Sequence, residues 1–487
     1  MQDAPVLLIV LAVLVWLFLA SAFSRQGVWL LLLWIPIQGW IQLNVFDDAR
    51  STVLLYEYQL IGLYGIFVIR ALSRPAEYRV PKAVWFAVPF IIWSLLLVPR
   101  SISAVGFVIT TIGLRTYLLP LPLVWIGYHT FRSRKELETL GVVLMLESAL
   151  VGMVAAAQYA GLDSLGGAIR EVPTGFSTTS GILRPPGTFS SPGHLGMFIL
   201  CMIPLGIGFL GMARAWSNRL PLVLGLLGTF VALIVNTQRA TMVLLVVMIP
   251  AIVIVARQLK ALRIVVLACF LGFAGWMAGT QVVGEAFATR VSSISDDLRI
   301  DLIETPSARM ADALRTPVAG GGLGIASPGA VRLETPFGTK QNRLFVGPNS
   351  AESFMAALVY ETGVPGLLFF YLYIGALLVF GARAVRLCRG TESALIAASI
   401  FCYEIAICIQ SWTYDPLHYP PSRIFFWFWA GVLLSLPRLE AGTLSRARTA
   451  VSRASASAAR RLGRSAAMPA RGGSPREAVL GRTPQRW

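Results

Sequence analysis

Arginines recur along two polar stretches of an otherwise apolar chain, and they are the side chains whose chemistry is most distinctive. A guanidinium keeps its charge at all relevant pH and donates two parallel hydrogen bonds to an anionic oxygen, so arginines near a membrane surface suit a lipid diphosphate. For each of them, ordinary pairing with loop carboxylates is the alternative. The set comprises Arg170, Arg184, Arg239, Arg290, Arg299, Arg309, Arg315, Arg332 and Arg343.

Two of these arginines have the most restrictive surroundings. Arg239 lies in the short turn 236–241 between two apolar segments, so its charge must lie near the membrane interface, where an unpaired charge is costly. Arg184 begins the segment Arg184-Pro-Pro-Gly-Thr-Phe. We expect both arginines to act on substrate. The alternatives are an interfacial lipid anchor for Arg239 and a rigid turn for Arg184.

Four charged residues fall inside apolar segments: Glu57, Arg115, Glu147 and Glu404. Such residues are candidates for function because a charge in the bilayer is costly. Pairing of Arg115 with one of the glutamates would stabilise a helix bundle, and we favour this interpretation. A proton relay of the kind used by a transporter is the alternative.

Other site chemistries have weaker support in the sequence. His129, His194 and His418 are scattered without metal-ligand spacing, and the five cysteines lie in or beside apolar runs with no disulfide or metal pattern. The glycine run 320–324 lacks the Lys-Ser/Thr that completes a phosphate-binding loop. We therefore expect no metal and no cofactor, and we interpret the glycine run as a flexible turn.

The elements that must position these residues follow from composition. The chain has 487 residues, of which 56 % are hydrophobic and 13 % charged, with a mean hydropathy of +0.69. Too few polar side chains are present to cover a water-soluble protein of this size. The same values exclude a disordered or collagen-like chain. The sequence predicts an all-α, polytopic transmembrane helix bundle over residues 1–437.

About thirteen segments have the roughly 20 apolar residues that a membrane-spanning helix requires. Between them lie two long hydrophilic loops, at 161–192 and 281–363, and a loop of the latter length is typical of lids and binding elements. The segments lie near 5–23, 27–45, 52–70, 83–98, 111–130, 140–159, 193–213, 220–237, 240–256, 262–279, 364–382, 393–412 and 423–437.

Loop charge predicts the orientation of the bundle. One alternating set of connections carries sixteen lysines and arginines, whereas the short connections of the other set carry four. Basic loops prefer the cytoplasmic side, which places the amino terminus and both long loops outside. Residues 1–23 lack the basic start of a signal peptide, so we expect them to remain as a helix.

Much of the net charge of +17 lies after residue 436, in a segment rich in Ser, Ala, Arg and Gly. We interpret residues 438–487 as a disordered, basic cytoplasmic tail that lies against anionic lipid. Nucleic-acid binding is the less favoured alternative, because the charge is confined to this tail.

Four pieces of the second half carry a family resemblance. They are Arg184-Pro-Pro-Gly-Thr-Phe leading into 192–196, Thr237-Gln-Arg239-Ala, the segment 317–324, and Glu352-Ser353 followed after nine residues by Gly363-Val-Pro-Gly366. Together these segments resemble the superfamily of bacterial O-antigen ligases and O-antigen polymerases over roughly residues 110–437. The last matches the ligase pattern His-[Asn/Ser/Gln]-x9-Gly-x-x-Gly, except that glutamate replaces histidine.

The resemblance implies a GT-C type fold and a glycosyltransferase reaction. Glycan would pass from a polyprenyl-diphosphate carrier to an acceptor hydroxyl on the outer face of the bacterial inner membrane, without nucleotide or metal. Arg184 and Arg239 would stabilise the leaving diphosphate, and Glu352 would be the general base. Glu361 is the other candidate base. The alternative role for Glu352 is a carboxylate at the start of a helix.

The implied partners are the lipid-linked glycan donor, the glycan acceptor, membrane lipid and other polysaccharide-assembly proteins, but not nucleic acid. Because histidine is absent at 352, we favour a polymerase or ligase of surface or exopolysaccharide repeat units over ligation to lipid A core. A transporter or flippase for the lipid-linked oligosaccharide is the alternative. The predicted substrate-binding residues are Arg290, Arg309, Arg115, Ser353 and Gly363.

Overall fold

The described part of the chain is almost entirely helical. The computed structural model describes residues 24–44, 55–162, 178–179, 182–258, 303–327 and 353–442, with a few isolated positions within 15–16 and 262–277. Met1–Glu440 form one compact unit, and Ala441–Trp487 form another. Within the described ranges the only strand pairing is one of two residues on each side. The predicted all-α class is confirmed.

Twelve helices and two very short strands make up the described elements. The first helical turn of α3 is a tighter 3-10 helix over Lys82–Ala87, and α4 has two helical parts, Phe107–Leu118 and Leu123–Thr130. The elements are α1 Ser24–Asn44, α2 Leu55–Ser73, α3 Lys82–Val105, α4 Phe107–Thr130, α5 Arg134–Tyr159, β1 Thr178–Thr179, β2 Ile182–Leu183, α6 Pro192–Met212, α7 Trp216–Asn236, α8 Arg239–Ala256, α9 Thr305–Ala313, α10 Phe354–Cys388, α11 Ala394–Thr413 and α12 Pro420–Gly442.

Nine of the described helices are long and apolar enough to cross a membrane. These are α3 to α8 and α10 to α12, and each covers one of the predicted segments. The predicted segments 27–45 and 52–70 correspond to α1 and α2, which are not among the nine; α1 contributes the shorter apolar stretch Gln26–Ile41. The predicted segments 5–23 and 262–279 lie outside the described residues, apart from isolated positions.

Helix ends follow local capping chemistry. Ser133, Ser191 and Ser353 each precede a helix and accept a hydrogen bond from the backbone amide three residues later, which satisfies one of the open amides of the first turn. The cap at Ser353 starts α10 ten residues before the predicted span, so residues 354–362 of the predicted external loop are helical. At its other end, α12 continues to Gly442, beyond the predicted limit of 437.

Small residues bring two helices of the bundle, α5 and α7, close together. A Cβ atom added at Gly152 would lie 2.0 Å from the carbonyl oxygen of Gly228, and one added at Gly225 would lie 2.3 Å from that of Met145. Lipid provides little hydrophobic drive for helices to associate, so close backbone contact between small residues stabilises the pair through van der Waals attraction.

The connections at one end of the bundle are joined by an ion cluster. Glu392, between α10 and α11, forms ion pairs with both Arg134 and Arg214. Arg134 also donates to the backbone carbonyl of Met212 at 2.7 Å. Three connections therefore lie together at this end. We call it the opposite end, because the candidate functional site lies at the other end of the bundle. This is the arrangement that the alternation of basic loops predicts.

The glycine contact between α5 and α7 predicts a specific stability loss. Gly152→Ala should destabilise the protein by about 1–3 kcal/mol, because its methyl group would overlap backbone rather than a movable side chain. The matched control is Gly375→Ala in α10, where a Cβ atom has no neighbour within 4 Å. Thermal unfolding of the two purified variants in detergent measures the difference. Equal melting temperatures for both would contradict the close packing.

Candidate functional site

Five polar segments meet at the end of the bundle away from Glu392. They are 184–192 before α6, 236–241 between α7 and α8, 317–327 after α9, 353–363 in the first part of α10, and 414–420 between α11 and α12. We call this the motif end. It contains the described parts of all four segments that resemble the ligase and polymerase superfamily, although these are separated by long stretches of sequence.

A fully buried amide, that of Asn236, joins the first two of these segments. Its side-chain nitrogen donates to the carbonyl of Pro192 at 2.9 Å and approaches that of Pro185 at 3.4 Å. In return, Nε of Arg184 donates to the backbone carbonyl of Asn236 at 3.3 Å. Arg184 is therefore fixed beside the turn that carries Arg239, three residues after Asn236.

The turn itself has a constrained backbone. Thr237 adopts a left-handed conformation with φ of 52°, which is uncommon for a residue other than glycine. The next side chain, Gln238, lies against Gly196 of α6, where an added Cβ atom would be only 1.3 Å from its Oε1. Thr241 donates to the Gly196 carbonyl at 3.2 Å. These contacts fix the start of α8, where Arg239 is half-buried.

The glycine-rich segment wraps around one buried carboxylate, that of Glu361. Oε2 accepts from the amide of Gly324 at 2.7 Å, and Oε1 accepts from the amide of Ala326 at 2.9 Å and the hydroxyl of Ser327 at 3.1 Å. Three donors thus compensate the desolvation of the carboxylate. The expected flexible turn is instead a fixed one, because its amides are bonded to Glu361.

Gly363 allows the helix to bend beside this loop. Its φ of 70° and ψ of −178° interrupt α10, and a Cβ atom there would lie 1.9 Å from the carbonyl oxygen of Val318. The interruption frees the carbonyl of Thr362, which accepts a hydrogen bond from the indole of Trp93 at 2.9 Å. Gly363 was predicted to bind substrate; its described role is to let the glycine-rich segment approach α10.

The connection between α11 and α12 joins the two halves of the motif end. The carbonyl of Tyr414 accepts from the amide of Phe354, at 3.1 Å, at the start of α10. The hydroxyl of the same tyrosine lies 2.7 Å from where a Cβ atom of Gly193 would be, at the start of α6. Nearby, the rings of His194 and Tyr419 lie 4.6 Å apart. The start of α6 and the start of α10 are therefore connected through this loop.

The remaining predicted site residues have varied positions. Ser353 is buried and caps α10. Arg309 is buried in α9, a short helix that packs against α10. Glu352 and Arg290 lie outside the described residues. The roles of Glu352 as base and of Arg290 in substrate binding therefore stay predictions from the sequence.

Arg115 is part of a buried ion cluster. Its guanidinium lies 3.2 Å from Glu57, the second arginine Arg423 lies 3.8 Å from the same carboxylate, and Tyr56 donates to it at 2.7 Å. Arg423 also donates to the hydroxyl of Tyr56. The prediction that Arg115 pairs with one of the glutamates is confirmed, and the partner is Glu57.

The sequence reasoning missed one arrangement at the motif end, an aspartate–histidine pair. Nδ1 of His418 lies 2.5 Å from Oδ2 of Asp415, and both side chains are buried. The signal that could have found it is the spacing Asp415-Pro-Leu-His418 directly after an apolar segment. The three histidines of the chain are far apart in sequence, so the pairing of one of them with a nearby aspartate did not stand out.

Comparison with protein-family models and with curated proteins found no match to the chain. The family assignment therefore stays a resemblance. Among the described residues, no three His, Cys, Asp or Glu side chains are grouped so as to hold a metal ion. The expectation of chemistry without a metal or cofactor stays a prediction.

The contacts of Glu361 predict how the glycine-rich segment responds to mutation. Glu361→Gln should speed hydrogen exchange of the Gly324 and Ala326 amides by about tenfold or more, because a carboxamide has one accepting oxygen in place of two. Hydrogen exchange followed by mass spectrometry measures this. The control is Glu77→Gln. This exposed carboxylate forms an ion pair of 3.8 Å with Arg74, so its replacement should not change hydrogen exchange at 324–326. Unchanged exchange in Glu361→Gln would contradict the anchoring role.

Proposed function

We propose that the chain is a membrane glycosyltransferase of the O-antigen ligase and polymerase type. In this proposal it transfers glycan from a polyprenyl-diphosphate carrier to an acceptor sugar hydroxyl, and so acts as a polymerase or ligase of surface or exopolysaccharide repeat units. The observation that carries the proposal is the hydrogen bond from Arg184 to Asn236, which brings the Arg184 segment against the turn of Arg239.

The proposal includes the finer architecture that the sequence predicts. The bundle would have about thirteen spans in a GT-C arrangement and would lie in the bacterial inner membrane. The motif end would face outward, with the amino terminus external and the basic tail cytoplasmic. The partners would be donor, acceptor, membrane lipid and other polysaccharide-assembly proteins.

The electrostatics of the motif end support a diphosphate ligand. Arg184 and Arg239 come from separate parts of the chain, and both are half-buried, Arg184 in the segment before α6 and Arg239 at the start of α8, where a membrane-embedded diphosphate headgroup would lie. A partly desolvated guanidinium binds a phosphate oxygen more strongly than one in bulk water, because the local dielectric is lower. The amide of Asn236 and the packing of Gly196 hold the arginine segments in place before substrate arrives, which avoids an entropic cost on binding.

The reaction makes two demands on the protein. The acceptor oxygen forms a bond to the anomeric carbon while the bond from that carbon to the diphosphate oxygen breaks, and the electron pair leaves with the diphosphate. Arg184 and Arg239 would stabilise this developing negative charge. The acceptor hydroxyl must also lose its proton to a base. By the resemblance, that base is Glu352.

Removal of one arginine charge should abolish most of the activity. We expect Arg239→Ala to lower the initial rate of glycan transfer by about 100-fold or more, the usual effect of deleting one donor to a developing anion. The assay uses purified protein in liposomes, supplied with lipid-linked glycan extracted from cells that lack the protein, and reads product length on a gel.

The matched control is Arg383→Ala, an exposed arginine toward the opposite end of α10. It removes the same charge and should keep the wild-type rate. If Arg239→Ala inserts normally and still lengthens glycan at the wild-type rate, the arginines do not hold the diphosphate and the proposal fails.

A transporter for the same lipid-linked substrate is the second candidate, and one observation favours it. Glu147, in the middle of α5, is buried, and neither carboxylate oxygen has a hydrogen-bond partner among the described residues. A proton carried across the membrane would use such a group. Arg115 pairs with Glu57 and not with Glu147, so an ion pair that stabilises the bundle does not explain why Glu147 is buried.

The same liposomes separate the two candidates. A glycosyltransferase lengthens or transfers glycan without a proton gradient, and Glu147→Gln keeps that activity. A transporter moves the intact lipid-linked glycan between leaflets without changing its length, and Glu147→Gln stops that movement. Movement of the carrier without any new glycan product would favour the transporter and contradict the glycosyltransferase.

A further inference from the structure

Asp415 and His418 form a buried carboxylate–imidazole pair that the mechanism above does not use. The contact of 2.5 Å joins Oδ2 of Asp415 to Nδ1 of His418, and the two side chains are 1 % and 0 % exposed. A carboxylate at Nδ1 favours the tautomer that carries its proton there, which leaves the lone pair on Nε2. The ring is therefore oriented as in other general bases that a carboxylate holds in place.

Nε2 of His418 is buried and has no hydrogen-bond partner in the described part of the chain. The same holds for Oδ1 of Asp415, whereas the ring centre of Tyr117 lies 5.4 Å from that of His418 and its hydroxyl interacts with Glu361. Buried polar atoms without partners are costly to keep. Two of them in one side-chain pair indicate a place that a hydroxyl-bearing molecule would satisfy.

This pair lies beside the start of α10. The rings of His418 and Phe354 are 5.1 Å apart, and the amide of Phe354 donates to the carbonyl of Tyr414, next to Asp415. An imidazole from the connection between α11 and α12 thus lies beside the start of α10, the helix that follows the motif in which the ligase pattern has histidine.

The other groups around the imidazole are less suited to accept a proton. Glu361 interacts electrostatically with His418, but both of its oxygens already accept hydrogen bonds from residues 324–327. Tyr117 carries a phenol, which is a weak base. Compared with Glu361 and Tyr117, His418 is the residue with an available lone pair, and its ring is oriented by the carboxylate of Asp415.

We propose that His418 is the catalytic base of the transfer reaction and that Asp415 positions it; this inference rests on the proposed function. Nε2 accepts the proton of the acceptor hydroxyl as that oxygen bonds to the anomeric carbon. The bond to the carrier diphosphate breaks, and the electron pair leaves with the diphosphate. The imidazolium then returns its proton to water or to the released diphosphate. Ser353, at the start of α10, would line the approach to this site.

The test measures kcat and KM for liposome-reconstituted variants with the extracted lipid-linked glycan. We expect His418→Gln to lower kcat by about 100-fold or more while KM for the donor stays within about threefold, the usual size of a lost general base. Asp415→Asn should lower kcat in the same way, because an amide no longer fixes the required tautomer.

His129→Gln is the matched control, because this histidine lies toward the opposite end, where its ring contacts the Arg79 carbonyl at 2.9 Å. It should keep the wild-type kcat, and thermal unfolding checks that all variants are folded. If His418→Gln does not fold, Asp415→Asn, which keeps side-chain size, decides the question.

Two results would overturn the assignment. One is wild-type kcat in a folded His418→Gln or Asp415→Asn variant. The other is a Glu352→Gln variant that loses activity while His418→Gln retains it, which would return the role of base to Glu352. In either case Arg239→Ala would still be inactive if the proposed function holds, so failure of this inference is distinguishable from failure of the glycosyltransferase proposal itself.

Discussion

The hydrogen bonds of one buried amide, that of Asn236, hold the candidate site together. This residue ends α7, donates to the carbonyls of Pro185 and Pro192 at the start of α6, and accepts a hydrogen bond from Arg184 at its own backbone carbonyl. Because the side chain is fully buried, losing these bonds would leave several polar groups unsatisfied at once. The positions of both arginines therefore depend on an uncharged residue that touches no substrate in the proposed mechanism.

A second anchor, Glu361, acts on the other half of the motif end. Its carboxylate accepts hydrogen bonds from amides of the glycine-rich segment, and these amides would otherwise need water as a partner. Together the two anchors explain why polar loops can lie over an apolar bundle with fixed geometry. In one case a side-chain amide donates to carbonyls, and in the other a carboxylate accepts from amides. The connection at 414–420 contacts the start of α6 and the start of α10, and so joins the two clusters.

The sequence predicted the helices because each span requires a long apolar run, and the nine spans described all fall on predicted segments. The shared end of the Arg184 and Arg239 segments was also predictable, since alternating spans return the chain to the same side. The Glu361 contacts were not, because their donors lie 34 to 37 residues away and come from a segment without periodicity. Arg115 was predictable in part. A charge in an apolar segment needs a partner, but only tertiary packing decides that this partner is Glu57.

The interruption of α10 at Gly363 couples two parts of the membrane domain mechanically. Because Trp93 of α3 takes the carbonyl that the interruption releases, a tilt of the short first part of α10 would pull on α3 as well. Ser101 of α3 also bonds the amide of Leu323 in the glycine-rich segment, at 2.9 Å. Any movement of the first nine residues of α10 about Gly363 would therefore act on α3 and on the glycine-rich segment together.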